Sequence, residues 1–108
     1  MKKSAPQPTD TSRSEFTELE QLPNVGPAVA ADLRRLGVAR PQDLLERDPY
    51  AMHDELCRLT TQRHDLCLLD TFIAAVRFMA GSPAKPWWAY TTERKRELST
   101  RQKEGETE

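Results

Sequence analysis

Long apolar runs are missing from this 108-residue chain, and their absence argues against a membrane-spanning helix. The N-terminus has two lysines, but no apolar stretch follows them, so we expect no signal peptide. Cysteine is scarce as well, with two residues in the chain. Without an export signal, two cysteines predict reduced thiols and a cytoplasmic protein rather than a disulfide framework.

An excess of charge of one sign is also missing, because the formal net charge is −1. Residues 1–14 have three basic and one acidic residue (+2), residues 15–81 have seven basic and eleven acidic residues (−4), and residues 82–108 have six basic and five acidic residues (+1). A DNA-binding core usually presents a basic face. Composition alone therefore does not indicate DNA binding.

Apolar spacing and helix signals predict a small all-α domain. The expected helices are 14–22, 27–36, 41–47, 49–59 and 65–80. The last of these is apolar on most sides, so we expect it to be central, with Phe72 and Ile73 deeply buried. We expect a disordered tail over 1–13, the folded domain over 14–92, and a flexible charged tail over 93–108.

The stretch from Leu22 to Gly37 is the most informative part of the chain. Gly26 suits an N-cap position, and Pro27 suits the first helical position, where its missing N–H is not needed. Asn24 and Gly26 are residue types that tolerate positive φ, and Gly37 is a typical helix stop. The pattern predicts a helix, a tight turn and a second helix.

This stretch resembles the helix-hairpin-helix motif. The resemblance implies sequence-independent binding of the DNA backbone through free N–H groups at a helix start, and hairpin carbonyls that hold a monovalent cation. Asparagine stands where the motif has its first glycine, and Ala28 and Val29 stand where DNA-binding members often have lysine. The alternative is a protein-interaction or oligomerisation module, in which the hairpin only packs helices together. The expected phosphate-binding residues are Asn24, Val25, Gly26, Ala28, Arg34 and Arg35.

The two helices after residue 49 resemble a second, degenerate hairpin unit, so the expected fold is a tandem helix-hairpin-helix (SAM-like) domain of five helices. Several short segments of the chain, taken together, carry a longer resemblance: LPNVGPAVAADLRRLGV, Asp48-Pro49-Tyr50, Leu56-Cys57, His64-Asp65, Cys67, Leu69-Asp70, Trp87-Trp88 and Glu93-Arg94-Lys95. Through these segments, over residues 15–96, the chain resembles a small bacterial family of helix-hairpin-helix proteins labelled pathogenicity locus or mitomycin resistance. The resemblance implies the tandem fold and a link to DNA damage.

Histidine and cysteine recur at short spacings, with His53 four residues before Cys57 and His64 three residues before Cys67. Four such side chains could form a tetrahedral zinc site. The alternative is two free thiols and two ordinary histidines. The Cys57–Cys67 spacing matches no known zinc motif, so we expect free thiols, no metal and no cofactor.

No nucleophile, base and orienting group are visible together, so the sequence predicts a non-enzymatic binding module. Asp70 and Arg77 lie on one face of their helix and should pair with each other or with neighbours in the fold. Trp87 and Trp88 either stack on bases or, as we favour, cover the core.

Overall fold

The computed structural model describes residues 15–106, with side chains up to Arg101. This part of the chain is helical and has four α-helices, which we number α1 to α4, joined by loops and three short 3-10 helices. The α-helices are α1 (Pro27–Arg35), α2 (Pro49–Thr60), α3 (Leu66–Met79) and α4 (Thr91–Glu106), and the 3-10 helices are Leu19–Gln21, Pro41–Leu44 and Trp87–Tyr90. None of the described helices is both long and apolar enough to cross a membrane.

The predicted first helix, 14–22, is wrong over residues 16–22, where one 3-10 turn forms at Leu19–Gln21. The Gln21 side chain accepts hydrogen bonds from the Thr17 and Glu18 amides, which places the helix start at Glu18. Leu22 is already extended, as is typical of a residue before proline. Only one turn fits between these two signals, and residues 15–106 have four α-helices in place of the expected five. The tail expected over 1–13 lies outside the described residues.

The predicted short helix 41–47 is also a single 3-10 turn, Pro41–Leu44. The Asp43 carboxylate accepts hydrogen bonds from the amides of Ala39 and Arg40, which lower the pKa of this side chain. Leu44 is buried, whereas Leu45 is exposed because the backbone becomes extended there.

Helices α2 and α3 form where the sequence predicted them. Asp48 caps α2 by accepting a hydrogen bond from the Tyr50 amide at 2.9 Å, and Pro49 occupies the first turn. The central position of α3 is confirmed, since Phe72 and Ile73 are 0% exposed. Phe72 belongs to a cluster with α1, α2 and the first two 3-10 helices, while Ile73 packs with Tyr50 and Tyr90 in a second cluster.

The segment predicted as a charged tail continues as α4, whose helix spans the expected boundary at residue 92. A buried ion pair attaches α4 to α3. Asp70 is 0% exposed and accepts hydrogen bonds from the Arg94 guanidinium at 2.9 and 3.3 Å and from the Thr91 hydroxyl at 2.8 Å. Asp70 and Arg77 therefore bind neighbours and not each other, and Arg77 pairs with Glu93.

Candidate functional site

The start of α1 is the exposed end of the predicted hairpin. Gly26 is its N-cap and Pro27 its first residue, as expected, and Ala28 is exposed. The first intrahelical bond runs from the Ala30 amide to the Gly26 carbonyl at 2.9 Å. The amides of Ala28 and Val29 precede this bond and have no intrahelical acceptor. With the helix dipole behind them, they favour an anion at this end.

The turn before α1 has one residue with positive φ, which is Asn24 at 69°. Gly26 has the extended backbone of an N-cap (φ −98°, ψ −169°), so its tolerance of positive φ is not used here. A Cβ added at Gly26 would meet no atom within 4 Å. Gly37, with φ 86°, is the left-handed stop that the sequence predicted. The left-handed position of the turn is therefore filled by asparagine.

Two of the predicted phosphate-binding residues in the turn, Asn24 and Val25, make contacts within the fold. Val25 is buried in the core, and its amide donates to the Leu22 carbonyl at 3.3 Å, so this amide is not free for a ligand. The side-chain amide of Asn24 donates to the Lys85 carbonyl at 2.8 Å. This bond joins the turn to a segment 61 residues away and places the Lys85 backbone beside it.

Arg34 and Arg35 lie in the last turn of α1, about 9 Å along the helix axis from Ala28. Arg34 is 4.0 Å from Glu20, and Arg35 is 2.9 Å from Asp32. The structure does not bring these two guanidinium groups to the α1 start. Such exposed pairs are weak, so an anionic ligand can compete for either arginine.

The two tryptophans differ in exposure. Trp87 is half-buried, whereas Trp88 is 63% exposed, and the rings contact edge to face with centroids 5.4 Å apart. Their 3-10 helix packs on α3 and buries Tyr90 in the second cluster. The segment therefore covers part of the core, as favoured, and leaves the Trp88 ring facing solvent close along the chain to Lys85.

The four zinc candidates do not gather into one cluster of side chains. His53 is 6% exposed, with Nδ1 3.9 Å from the Cys57 Sγ and Nε2 3.2 Å from the Asp65 carbonyl oxygen. The His64 ring contacts the Thr60 hydroxyl at 2.9 Å, and Cys67 is exposed on the first turn of α3. Within residues 15–106 no three His, Cys, Asp or Glu side chains are grouped to hold a metal ion.

An open groove of about 1080 Å³ borders Cys57 and His53, and we call it the α2–α4 groove. At its α4 side the Arg101 guanidinium lies over the Tyr50 ring at 4.3 Å and contacts Asp48 at 3.4 Å. Burial, followed by the charges of Glu93 and Glu97, raises the pKa of the Tyr50 phenol. The groove is lined by Tyr50, His53, Asp54, Cys57, Arg58, Gln62, Arg63, His64, Asp65, Leu66, Leu69, Leu98 and Arg101.

Sequence reasoning missed two features of these sites. The Lys85 carbonyl accepts a hydrogen bond from Asn24 in the turn before α1. Every residue has a backbone carbonyl, so the sequence does not indicate which residue makes such a contact. The i, i+4 spacing of His53 and Cys57 was visible, but the spacing does not show that the Asp65 carbonyl fixes the imidazole.

Comparison with known proteins identifies the family. Residues 12–96 match the model of the family described as Pathogenicity locus. The chain is 43% identical over 86 residues to the mitomycin resistance protein McrB of Streptomyces lavendulae, a match that covers 80% of this chain and 82% of that protein. No solved structure matches the chain. The matched residues extend from before the turn that precedes α1 to beyond the buried Arg94, and this chain belongs to the pathogenicity locus family.

Proposed function

We propose that this chain is a non-enzymatic module that binds the DNA backbone weakly and without reading base sequence, through the start of α1. The observation that carries the proposal is the exposed helix start capped by glycine, where the Ala28 and Val29 amides have no intrahelical acceptor. Such amides form good hydrogen bonds to phosphate oxygens, and phosphate contacts carry no sequence information.

Two further observations support a backbone contact at this end. Asn24 keeps the turn in shape with its positive φ and holds the Lys85 backbone beside it, which brings a basic residue into the neighbourhood of the α1 start. The Arg34 and Arg35 side chains are exposed, and their pairs with Glu20 and Asp32 are weak enough for a phosphate to replace the carboxylate. The acidic excess of residues 15–81 opposes DNA, so we expect weak and strongly salt-dependent binding.

The relative's name links it to mitomycin resistance. We propose that this chain likewise acts in resistance to mitomycin, and that the α1 start is the surface that it uses on damaged DNA. Loss of resistance in cells that carry a variant defective in DNA binding is the expected cellular result.

A second candidate function is a protein-interaction module, and Trp88 favours it. Large aromatic side chains that are mostly exposed are frequent at protein contacts, because they bury much area with few rotatable bonds. Substitution Trp88→Ala is expected to abolish binding to a protein partner, whereas a phosphate contact at α1 does not need this ring.

The test compares two lysine substitutions in the first turns of two helices, at the second residue of α1 and at the third residue of α2. Ala28 and Ala51 are both exposed residues in the first turn of a helix that begins with proline. At α2 the Asp48 carboxylate already accepts from the Tyr50 amide, so an added lysine there should gain no phosphate contact. Fluorescence anisotropy with a short duplex at several salt concentrations measures both variants and the wild type.

We expect Ala28→Lys to bind more tightly and to steepen the log–log salt dependence by roughly 0.9, with a nearly unchanged melting temperature. Ala51→Lys should behave as the wild type. If neither the wild type nor Ala28→Lys binds at low salt, or if both lysines have the same effect, the phosphate contact at α1 is wrong.

A further inference from the structure

We infer that Cys57 is a nucleophilic thiol, with His53 as its base, that reacts with an alkylating electrophile bound in the α2–α4 groove. This reaction needs no DNA and is stoichiometric, with one thiol for each electrophile. It therefore goes beyond the proposed binding of phosphate at α1.

The contact with the Asp65 carbonyl decides which nitrogen of the His53 ring carries its proton. The Nε2 atom lies 3.2 Å from the Asp65 carbonyl oxygen, which can only accept a hydrogen bond. Nε2 therefore carries the proton, and in the neutral ring Nδ1 is left with a free lone pair. Nδ1 is 3.9 Å from the Cys57 Sγ, within the range of a hydrogen bond from a thiol. The thiol, the imidazole and the carbonyl form the nucleophile, base and orienting group of an activated cysteine.

The Cys57 sulfur lies beside a backbone hydrogen-bond donor. The backbone N–H of His64 donates to the Cys57 Sγ at 3.4 Å, and a donor at this atom favours the thiolate. The His64 ring contacts the Thr60 hydroxyl, whose own hydrogen is donated to the Leu56 carbonyl. The His64 ring must therefore donate to Thr60, and this bond helps to fix the loop that supplies the N–H.

The α2–α4 groove leaves space for a small molecule beside the Cys57 thiol. Cys57 is half-buried and lines the α2–α4 groove, so a small molecule can reach it. Tyr50, 7% exposed, lines the same groove, and its buried hydroxyl has no hydrogen-bond partner among the described residues. Arg63, exposed at the groove, is in none of the ion pairs within the described chain. Both groups are donors, so they fit an electrophile with an acceptor oxygen, such as an α-halocarbonyl compound.

The reaction is a simple displacement. The thiol proton moves to His53 Nδ1, and the sulfur lone pair forms the bond to the electrophilic carbon. The carbon–halogen bond breaks, and the halide leaves with its electron pair. The imidazolium then returns its proton to solvent. The other charged or titratable groups that line the groove are Asp54, Arg58, Arg63, His64, Asp65 and Arg101.

Cys67 supplies the matched control, because it is exposed on α3 and the described contacts give its sulfur no histidine partner. The variants Cys67→Ser and Cys57→Ser each leave one thiol, and each is made with and without His53→Gln. Glutamine keeps a donor for the Asp65 carbonyl but cannot take the proton. The rate of alkylation by iodoacetamide is measured by intact mass between pH 6 and pH 8, with the melting temperature of every variant.

We expect His53→Gln to slow the alkylation of Cys57 at pH 6 by about tenfold or more, while the rate at Cys67 changes less than about twofold. The thiolate fraction of an unassisted thiol falls roughly tenfold for each pH unit in this range. The Cys57 rate should fall less steeply between pH 7 and pH 6. Equal slowing of both thiols, or an unchanged Cys57 rate, would overturn the inference.

The pH profile also decides the question if His53→Gln fails to fold. It is then measured on the Cys67→Ser variant alone, which retains His53. A tenfold fall in rate from pH 7 to pH 6 means that Cys57 is an ordinary thiol and that the inference is wrong. A shallower fall supports it.

Discussion

The starts of α1 and α2 have similar first turns but different N-cap residues. Both helices have proline in their first turn and an exposed alanine shortly after it. The cap of α2 is Asp48, whose carboxylate accepts from the Tyr50 amide and contacts Arg101 of α4. The cap of α1 is Gly26, which has no side chain. At α2 the protein supplies its own anion, whereas at α1 the cap has no side chain to accept a hydrogen bond from the first-turn amides.

The largest expected effect comes from detaching α4, which holds Asp48 at α2 but has no described contact with Gly26. Substitution Asp70→Ala leaves the Arg94 guanidinium buried without its partner, which costs about 3–5 kcal/mol. Chemical denaturation measures this loss. Because α4 is detached, amide exchange should speed up more at Met52, the first bonded amide of α2, than at Ala30 in α1. Equal acceleration at both amides would mean that α4 supports both helix starts.

The next largest effect is expected from giving α1 the cap of α2. In Gly26→Asp the new Cβ meets no atom within 4 Å, and an aspartate at an N-cap can accept from the first-turn amides. It also repels phosphate. DNA affinity should fall about tenfold, or about 1.4 kcal/mol, while the melting temperature is kept or raised. Undiminished binding measured by anisotropy would place the DNA contact elsewhere.

The reciprocal change, Asp48→Gly, gives α2 the cap of α1. The lost cap and the lost exposed contact with Arg101 should together cost about 1 kcal/mol of stability. Because the Tyr50 amide is then free, Ala51→Lys should strengthen DNA binding in this background although it does not in the wild type. A lysine at Ala51 that stays without effect would show that a free helix start is not sufficient.

The smallest effect is expected at the turn before α1. Asn24→Gly retains the freedom to adopt positive φ but removes the hydrogen bond to the Lys85 carbonyl. Stability should fall by about 0.5–1.5 kcal/mol, as thermal unfolding can measure. A further decrease in DNA affinity with Asn24→Gly, absent from Lys85→Gln, would show that the segment's position matters more than its charge.

Local signals predicted much of this fold. Asp48 followed by Pro49 predicted the start of α2, and the apolar circumference around Phe72 predicted the central α3. The first helix was wrong because the apolar spacing before Leu22 outweighed two nearer signals, the Gln21 cap and the following proline. The docking of α4 was missed because it uses a buried ion pair instead of an apolar stripe.

The sites were less predictable than the fold. Gly26 as cap and Pro27 as the first helical residue followed from helix-start rules and are confirmed. The burial of His53 and its contacts with Cys57 and Asp65 depend on how α2 meets the loop before α3. That geometry has no sequence period, so the spacing alone suggested either a metal or nothing.

Because the space around Gly26 is open, selection for folding and selection for function should favour different residues at this position. A Cβ there meets no atom, and the backbone lies in the extended region that any residue adopts. A library screened only for folded protein should therefore accept serine, threonine, asparagine and aspartate at this position as readily as glycine, since all are good N-caps. A library screened for survival on mitomycin should reject aspartate, whose charge repels phosphate, and retain glycine. The frequency of aspartate relative to glycine at position 26, compared between the two libraries, measures whether glycine is required for the ligand or for the fold.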